Sequence, residues 1–364
     1  MVGHGRPRLP PPAERAARAV LLAGVAAVGS RGDAVDKAGL SGCPGRASLG
    51  GRRCRASVGG RALTSLAVAR PVGSLPLRQR LGAYVALTKP RIVELLLVTT
   101  LPTMIVADHG LPALTRILAT LGGGALAAGG ANATNMYLDR DIDAVMHRTA
   151  SRPLVTGTVS PRSALVFAVA LEAAAFGLLW GEVNLLAALL ALSAALFYVF
   201  VYTLWLKRSS AQNIVIGGAA GAVPVLVGWA AVRDSLGLAP LLLFALIFVW
   251  TPPHFWALAL RYREDYSAAE VPMLPSVAPF GKVARRIVFY SVLVVGASVA
   301  FGVVAGMGVV YWVVAVAAGA VFLLLAGRLL VDRSEARAMR LFHWSITYLT
   351  LLFAAMAVDQ FVRL

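Results

Sequence analysis

Cysteine and charged side chains are both scarce in this chain of 364 residues. Its two cysteines, Cys43 and Cys54, lie in a stretch rich in glycine and arginine, which excludes a disulfide-stapled secreted module and a cysteine-based metal or catalytic site. Charged residues make up 14% of the chain, whereas a soluble domain carries about 25%. Apolar residues reach 59% and the mean hydropathy is +0.75, so the composition indicates a membrane protein.

Acidic residues are half as numerous as basic ones, and the resulting net charge of +17 is unevenly distributed. Residues 1–80 contain 14 basic and 3 acidic side chains, whereas residues 81–364 contain 20 and 14. The first stretch lacks apolar periodicity, so we predict a disordered basic extension over residues 1–77, before a single domain over residues 78–364. This arginine-rich extension also fits a transit peptide or a basic tail at a lipid surface.

Apolar runs of about 17–25 residues recur from Ile92 onward, and each is long enough to cross the hydrocarbon core of a bilayer as a helix. Backbone groups in lipid need internal hydrogen bonds, and the runs lack the alternation of barrel strands. We therefore predict an all-α, polytopic membrane helical bundle with nine transmembrane helices. Their approximate limits are 92–109, 113–136, 163–180, 184–206, 213–232, 238–260, 286–304, 309–330 and 341–358.

The basic residues of the loops predict the orientation of these helices. Of the 20 lysines and arginines after position 80, 17 lie in loops on one side, and basic loops stay in the cytoplasm. The N-terminus is therefore predicted inside and the C-terminus outside. The two long inside loops, residues 137–162 and 261–285, are the expected places for function. Because the charge sets topology, no nucleic-acid partner is predicted.

The first inside loop begins with an asparagine and two aspartates, Asn135, Asp139 and Asp143, at intervals of four residues. If the second span continues as a helix, these three side chains stack along one face while Asp141 points elsewhere. Converging oxygen ligands suit Mg²⁺. Several arginines lie close by in the sequence and can neutralise a diphosphate by forked hydrogen bonds, namely Arg140, Arg148 and Arg152.

At these positions the chain resembles the UbiA-like intramembrane prenyltransferases, whose first acidic motif reads N-x-x-x-D-x-x-x-D. The resemblance covers about residues 78–364, and within the family it is to the heme-modifying branch. The strings that carry it are Leu87-Thr-Lys-Pro-Arg91, Asn135-Met-Tyr-Leu-Asp-Arg-Asp-Ile-Asp143 with Arg148-Thr-x-x-Arg152-Pro-Leu, Tyr202-Thr-x-x-Leu-Lys207-Arg208, Trp250-Thr-Pro-Pro-His254-Phe-Trp256 and Asp265-Tyr-x-x-Ala-x-Val-Pro-Met-Leu-Pro275.

The resemblance implies transfer of the farnesyl group of farnesyl diphosphate to a vinyl group of protoheme IX (heme B). The products would be heme O, for the maturation of heme-copper terminal oxidases, and diphosphate. Mg²⁺ bound with the diphosphate is the implied cofactor, and heme B is a substrate. The implied location is the bacterial plasma membrane with the active site on the cytoplasmic side, or the mitochondrial inner membrane if the extension is a transit peptide. A downstream heme-modifying enzyme is a further expected partner.

The family's functional residues carry over to matching positions of this sequence. The implied catalytic residues are Asn135, Asp139, Asp143, Lys207 and Asp265. The implied metal ligands are Asn135, Asp139, Asp143 and Asp265. The implied substrate-binding residues are Asn132, Lys89, Arg91, Arg140, Arg148, Arg152, Tyr202, His254 and Tyr262.

Some positions leave alternatives open. The second acidic motif of the family is often D-x-x-x-D, but here only Asp265 matches, and Glu264 or Glu270 could complete the site. His254 follows two prolines in the middle of span six, where we expect the helix to break. The histidine itself would either contact heme or be an ordinary interior polar residue. Glu172 in the middle of span three would be protonated or paired and has no assigned role.

Two other functions compete with prenyl transfer to heme. A family member with a quinone-precursor or chlorophyll-type acceptor would share the first motif but not the Trp-Thr-Pro-Pro-His and Val-Pro-Met-Leu-Pro strings. A secondary transporter would also combine broken helices with intramembrane acids. Transport sites lie near the bilayer midplane, whereas Asp139, Asp143 and Asp265 are expected at its inner edge.

Overall fold

The computed structural model describes residues 76–362, which belong to one compact unit. All regular secondary structure in this range is helical, which confirms the predicted all-α class. The predicted extension, residues 1–77, lies outside the described residues except for its last two positions, so its separation from the main domain stays a prediction.

Thirteen helices follow one another over the described range. They are α1 (Leu77–Thr88), α2 (Pro90–Asp108), α3 (Leu114–Leu138), α4 (Arg140–Val145), α5 (Pro161–Glu182), α6 (Leu185–Ser209), α7 (Asn213–Arg233), α8 (Leu238–Arg261), α9 (Arg263–Ala268), α10 (Leu274–Val277), α11 (Phe280–Val304), α12 (Val309–Val331) and α13 (Glu335–Val362). Within α6, residues Phe197–Leu206 form a π-helix.

Seven of these helices, α5 to α8 and α11 to α13, are long and apolar enough to cross a membrane, so the predicted count of nine is not confirmed. The other two predicted spans correspond to α2 and α3. The apolar part of α2 among the described residues is Val98–Asp108, which is short. Helix α3 has 25 residues but is rich in glycine and asparagine, which lowers its hydropathy. The predicted orientation of the termini is not tested by the structure.

The predicted limits of a span agree best with the observed helix where the apolar run ends directly in a loop. They agree least where a polar turn of helix precedes the apolar run. Helix α11 begins at Phe280 rather than at 286, and α13 begins at Glu335 rather than at 341. Hydropathy marks only the length of chain that suits hydrocarbon, whereas the hydrogen-bonded helix continues through polar residues such as Lys282 and Arg285.

The expected break in span six is wrong, because α8 runs without interruption from Leu238 to Arg261. Pro252 and Pro253 lack the N–H groups that would close two of its turns, but their φ angle suits a helix and the neighbouring bonds hold. Thr251 adds a side-chain hydrogen bond, donating through Oγ1 to the Ile247 carbonyl oxygen at 2.9 Å.

The long helices form a closed ring in which α2 packs on α7 and α8 packs on α13 across the middle. Small residues allow the closest approaches. A Cβ on Gly228 of α7 would lie 2.8 Å from the Thr100 carbonyl oxygen of α2, and one on Gly130 of α3 would lie 2.9 Å from the Ala168 carbonyl oxygen of α5. Helices α8 and α11 to α13 instead enclose large buried side chains, among them Tyr311, Phe322, Tyr348 and Phe353.

Candidate active site

The asparagine and aspartates of the first motif lie where α3 gives way to α4. Helix α3 ends at Leu138, and Asp139 caps it, donating its backbone N–H to the Asn135 carbonyl oxygen at 2.9 Å. The Asp143 N–H in turn donates to the Asp139 carbonyl oxygen at 2.8 Å, so the chain keeps a nearly helical path across the junction. Asp139 and Asp143 are 0% and 2% exposed, whereas Asp141 is an exposed residue.

Lys207 reaches Asp139 from the end of α6. Its Nζ donates to Asp139 Oδ2 at 2.5 Å, and Asn135 Nδ2 donates to the same oxygen at 2.7 Å. The other carboxylate oxygen, Asp139 Oδ1, is buried and accepts no hydrogen bond from any residue that the structure describes. A buried carboxylate oxygen left in this state is suited to a bound cation.

The π-helix explains how Lys207 and Tyr202 come to act at one place. The Lys207 N–H donates to the Tyr202 carbonyl oxygen, an i to i−5 bond that brings residues five apart onto one side of the helix. Tyr202 lies against Gly217 of α7, where a Cβ would be 2.3 Å from its ring, so only glycine leaves room. Thr203 accepts a hydrogen bond from Asn135 Nδ2 at 3.0 Å through Oγ1.

Lys89 approaches the cluster from the corner between α1 and α2. It has a left-handed backbone with φ of 53°, and its Nζ donates to Asn135 Oδ1 at 2.7 Å. Burial, together with the nearby charges of Arg152 and Lys207, lowers the pKa of Lys89 to about 7. An anion bound beside these cations would favour the protonated lysine. Asn132, one turn earlier on α3, donates to the Thr88 carbonyl oxygen at 3.1 Å and so ties α1 to the same site.

Two arginines fix the first loop. Arg152 donates to Asp143 Oδ2 at 2.6 Å. Arg208 forms a two-pronged pair with Asp141, with distances of 2.7 and 2.8 Å, and lies 3.8 Å from Asp139. The Arg208 hydrogen bond holds the pKa of Asp141 at about 2, below its ordinary value. Asp141 therefore anchors the loop and leaves Asp139 and Asp143 to face the buried cluster.

The second loop reaches the first through its tyrosines. The guanidinium of Arg148 lies 5.2 Å from the centroid of the Tyr262 ring and 6.0 Å from that of Tyr266. Arg148 also donates to Tyr266 Oη at 3.4 Å. The pKa of Tyr266 is raised, mainly because the side chain is buried. Tyr262 and Tyr266 are members of the apolar cluster that also includes Tyr202.

The structure does not bring every expected residue together. Asp265 is half-buried, and no ion pair of it occurs among the residues that the structure describes; Glu264 and Glu270 are exposed. Over the same residues, no group of three His, Cys, Asp or Glu side chains could hold a metal ion. Arg91 and Arg140 are exposed, and Arg140 bonds the Tyr137 carbonyl oxygen instead of the cluster. The residues of the first motif that the structure does hold against the basic side chains are Asn135, Asp139 and Asp143, which contact Lys89, Lys207 and Arg152, respectively.

An apolar cavity of about 180 Å³ extends from the cluster into the bundle. Asn132 and Tyr198 stand at one end of its lining, and Thr120 lies 12 residues along α3, which is about 18 Å of helix. Alanines and glycines of α3, α6 and α7 form much of the wall, which is why space remains between these helices. Tyr198 stacks on Tyr202 with their ring centroids 5.4 Å apart, so a pair of aromatic rings begins at the wall of the cavity.

The sequence interpretation missed Tyr198 and Thr203. Thr203 stands in the string Tyr202-Thr-x-x-Leu-Lys207-Arg208 but received no role, and the local signal for Tyr198 was the density of aromatic residues from Phe197 to Tyr202, which does not reveal a π-helix. His254 was expected, but it lies on α8 against α13, where its Nδ1 is 2.8 Å from Ser345 Oγ. Glu172 has a buried oxygen, Oε1, with no hydrogen-bond partner among the described residues, and lies against Gly130.

Comparison of the sequence with known proteins assigns the chain to one family. Residues 96–350 match the sequence model of the UbiA prenyltransferase family. The protoheme IX farnesyltransferase of Streptomyces avermitilis is 52% identical over 297 residues, which cover 80% of this chain and 97% of that protein. The protein of the same name from Frankia alni is 56% identical over 294 residues, covering 79% and 100%.

Solved structures show the same fold at low sequence identity. A digeranylgeranylglyceryl phosphate synthase in membranes superposes with a TM-score of 0.66 at 18% identity, over 79% of this chain and all of that chain. A UbiA homologue from Archaeoglobus fulgidus, solved with DMAPP and Mg²⁺, has a TM-score of 0.54 at 16% identity, over 76% of this chain and 99% of that one.

Proposed function

This chain belongs to the UbiA prenyltransferase family, and we propose that it transfers the farnesyl group of farnesyl diphosphate to a vinyl group of protoheme IX, giving heme O. Heme O would then serve the maturation of heme-copper terminal oxidases. The name shared by relatives that are 52% and 56% identical supports this acceptor. The observation that carries the proposal is a buried cluster of carboxylates and lysines one helical turn from Asn132, which lines an apolar cavity. A prenyl diphosphate likewise joins a charged end to an apolar chain.

The diphosphate end of the substrate binds at the junction of α3 and α4. Asn135, Asp139 and Asp143 would hold Mg²⁺, and Asp139 Oδ1 is the oxygen with no competing hydrogen bond among the described residues. When bound, the metal neutralises charge on the diphosphate and favours its departure. Lys207 and Lys89 already lie within hydrogen-bond distance of this triad and would bind the outer phosphate oxygens.

Departure of the diphosphate breaks the allylic C–O bond, and both electrons of that bond leave with the phosphate oxygen. The farnesyl chain lies in the apolar cavity, where few polar groups can capture the allylic cation. Tyr198 lines the cavity and stacks on Tyr202, and the face of an aromatic ring there can stabilise positive charge. The lysines and Arg152 stabilise the negative charge on the leaving group.

The vinyl group of heme then supplies the electron pair for the new C–C bond. This step moves the positive charge to the carbon next to the porphyrin. Water adds there and loses a proton, which leaves the hydroxyethylfarnesyl substituent of heme O. Asp265, Tyr262 and Arg148 belong to the loops that cover this end of the bundle. Asp265 would join the diphosphate site when substrate is bound.

The two competing functions fit less well. A transporter would need its acids near the middle of the long helices, but Asp139 caps α3 and Asp143 lies in the short helix α4 that follows it. A quinone-precursor or chlorophyll-type acceptor would use the same diphosphate site, so the donor half of the structure does not distinguish it. The names of the relatives favour heme.

We place the protein in the bacterial plasma membrane with this site on the cytoplasmic side. The seven apolar helices support a multi-pass protein, and the basic loops at the polar end support the orientation. The mitochondrial inner membrane is the alternative if residues 1–77 are a transit peptide. Docking of a downstream heme-modifying enzyme stays a prediction, which a pull-down from membranes would test.

The experiment that tests the proposed function is mass analysis of extracted hemes. The chain is expressed in a host that lacks its own heme O synthase, with the Asp139→Ala variant as a matched control. We expect a farnesylated heme with the wild-type chain and none with the variant at equal membrane abundance. A prenylated quinone or chlorophyll precursor without any modified heme would contradict the proposed acceptor.

A further inference from the structure

Three cationic side chains surround an open pocket of about 490 Å³ where α11 begins and α12 ends. The residues that line it are Pro279, Gly281, Lys282, Arg285, Leu330 and Arg333. This lining contains no acidic side chain, and its three cations form no ion pair over residues 76–362. The pocket follows the second loop directly in the chain and shares no residue with the acidic cluster. It is therefore a separate concentration of positive charge.

The first turn of α11 adds to this positive charge. The helix has 25 residues, but its first turn contains no acidic residue and no side chain caps its N-terminus. Free N–H groups and aligned peptide dipoles give such an end a partial positive charge. Lys282 and Arg285 lie three residues apart on one face of the same end, where like charges repel. An anion in the pocket would relieve both unfavourable interactions.

Arg333 reaches this helix end from the turn after α12. Its Nε donates to the Leu330 carbonyl oxygen at 3.4 Å. A Cβ on Gly281 would lie 3.1 Å from the guanidinium carbon Cζ, so a glycine at this position lets the guanidinium pack against α11. Asp332, the neighbour of Arg333 in the chain, pairs instead with Arg337 at 2.9 Å. Packing thus adds a third cation to an end that is already positive.

A signal for membrane orientation does not account for this arrangement. Basic residues near a helix end keep that end in the cytoplasm wherever around the helix they lie. Helix α13 begins on the same side of the bundle, but Glu335 lies in its first turn and Arg337 is paired with Asp332. Helix α11 has neither form of compensation. Cations that converge on an uncompensated helix N-terminus are typical of a binding site for an anion.

The surroundings of the pocket favour a lipid over a soluble anion. Phe289 and Val292 follow Arg285 by four and seven residues, so they lie on the same face of α11, and both are exposed. Val331, at the end of α12, is 89% exposed. Because α11 and α12 are long and apolar enough to cross a membrane, this face meets hydrocarbon. A molecule with a phosphate above two acyl chains matches both the pocket and the face below it.

We propose that the pocket binds the phosphate headgroup of an anionic phospholipid of the inner leaflet, with phosphatidylglycerol as the simplest example. Arg285 and Arg333 hold the phosphate oxygens by paired N–H donors, and Lys282 holds them as a point charge. The N–H groups at the start of α11 are further donors. Because Pro279 joins the second loop to α11, bound lipid would also hold the end of that loop. The inference does not rest on the proposed function, since the pocket lies outside the prenyl site.

The test is native mass spectrometry of the purified full chain in detergent, with phosphatidylglycerol and, in parallel, phosphatidylcholine at the same concentration. The two lipids have the same acyl chains, but only phosphatidylglycerol has a net negative charge. We expect the wild-type chain to bind phosphatidylglycerol at least about tenfold more tightly. The triple variant Lys282→Gln, Arg285→Gln and Arg333→Gln should lose this preference, because each basic residue near a membrane surface contributes about fivefold in affinity.

Two further variants separate the pocket from the general charge of this side. The triple variant Arg162→Gln, Arg328→Gln and Arg340→Gln removes three exposed cations from the same side, none of which lines the pocket, so the preference should persist. Gly281→Ala keeps every charge but places a methyl group 3.1 Å from the Arg333 guanidinium. We expect this displacement of one cation to weaken phosphatidylglycerol binding by about two- to fivefold.

Equal binding of the two lipids by the wild-type chain, or an equal loss of preference in the two triple variants, would overturn the inference. Displacement of phosphatidylglycerol by glycerol 3-phosphate at equal concentration would also contradict it, because the ligand would then be a soluble phosphate. Binding of poly-glutamate to the pocket in place of the lipid would identify a contact for an acidic protein and would equally contradict a lipid site.

Discussion

The two polar loops, residues 139–160 and 262–279, lie at the same end of the bundle but hold their acidic side chains differently. In the first loop each aspartate has a cationic partner: Lys207 for Asp139, Arg208 for Asp141 and Arg152 for Asp143. In the second loop, Glu264, Asp265 and Glu270 form no ion pair with any residue in the described range. The partners of the first loop include residues from α6, so its geometry is fixed by helix packing.

This difference separates a preorganised site from one that a ligand completes. Burying a carboxylate costs free energy unless it is paired, and in the first loop the ion pairs are already formed before substrate binds. Asp265 remains half-buried and unpaired, which suits a group that gains its partner from Mg²⁺ and diphosphate. The two loops contact each other through Arg148, which lies against both Tyr262 and Tyr266.

The largest effect is expected from Asp139→Ala. The change removes the acceptor of Lys207 and the free oxygen Oδ1 together, so we expect turnover to fall by about 10³-fold or more. The assay is turnover of purified protein with farnesyl diphosphate, heme and Mg²⁺. Asp141→Ala is the comparison at the exposed position of the same loop: it removes the anchoring pair with Arg208 but no buried carboxylate, so its loss should be much smaller than that of Asp139→Ala. Full turnover by Asp139→Ala would remove this residue from the site.

A smaller loss, about 10²-fold, is expected for Asp143→Asn, because the neutral amide keeps the shape but not the charge that pairs with Arg152. Arg152→Met and the double variant complete a double-mutant cycle. The loss in the double variant should be less than the product of the two single losses. Independent losses would show that the 2.6 Å pair does not act as one unit.

In the second loop, Asp265→Asn should reduce kcat/KM by about tenfold, with the change mainly in KM for farnesyl diphosphate, since only bound substrate recruits this carboxylate. The concentration of Mg²⁺ needed for half activity should rise in parallel. Glu264→Gln, at the exposed neighbouring position, serves as the control. A loss as large as that of Asp139→Ala would mean that the two loops are equally organised.

The contact between the loops can be weakened by Tyr266→Phe. This change removes the hydroxyl that accepts the 3.4 Å hydrogen bond from Arg148 but keeps the buried ring. Because a single hydrogen bond contributes about 1 kcal/mol, we expect kcat/KM to fall by only about two- to fivefold. Arg148→Ala, which loses the contacts with both tyrosines, should have a larger effect than Tyr266→Phe. Equal activity of all three proteins would show that the loops act independently.

No effect on turnover is expected from deleting residues 1–70, which we assign to a separate extension. Both loops and every residue of the site lie after this point in the chain. Activity per milligram of membrane-inserted protein is the measurement, because an extension that served targeting would change abundance and not turnover. A lower kcat in the purified truncated protein would contradict the division at residue 77.

The sequence interpretation was most accurate where the signal is local. Apolar runs gave the limits of α7 and α8 to within a residue or two, because hydropathy and helix length follow from neighbouring residues. The interpretation was least accurate where the structure depends on contacts between residues that are distant in the sequence. It expected two prolines to break α8, but the packed helix continues through them. The role of Asp265 beside the first motif stays a prediction.

The sequence alone determined that the chain is a bundle of apolar helices with a motif of oxygen ligands at one helix end. Four-residue spacing and hydropathy are properties of nearby residues in the sequence, so they do not depend on which helices pack together. Only the tertiary structure decided that Lys89 and Lys207 meet Asn135 and Asp139, since 46 and 68 residues separate these pairs. The π-helix and the Ser345 contact of His254 are of the same kind, because they depend on which helices pack together.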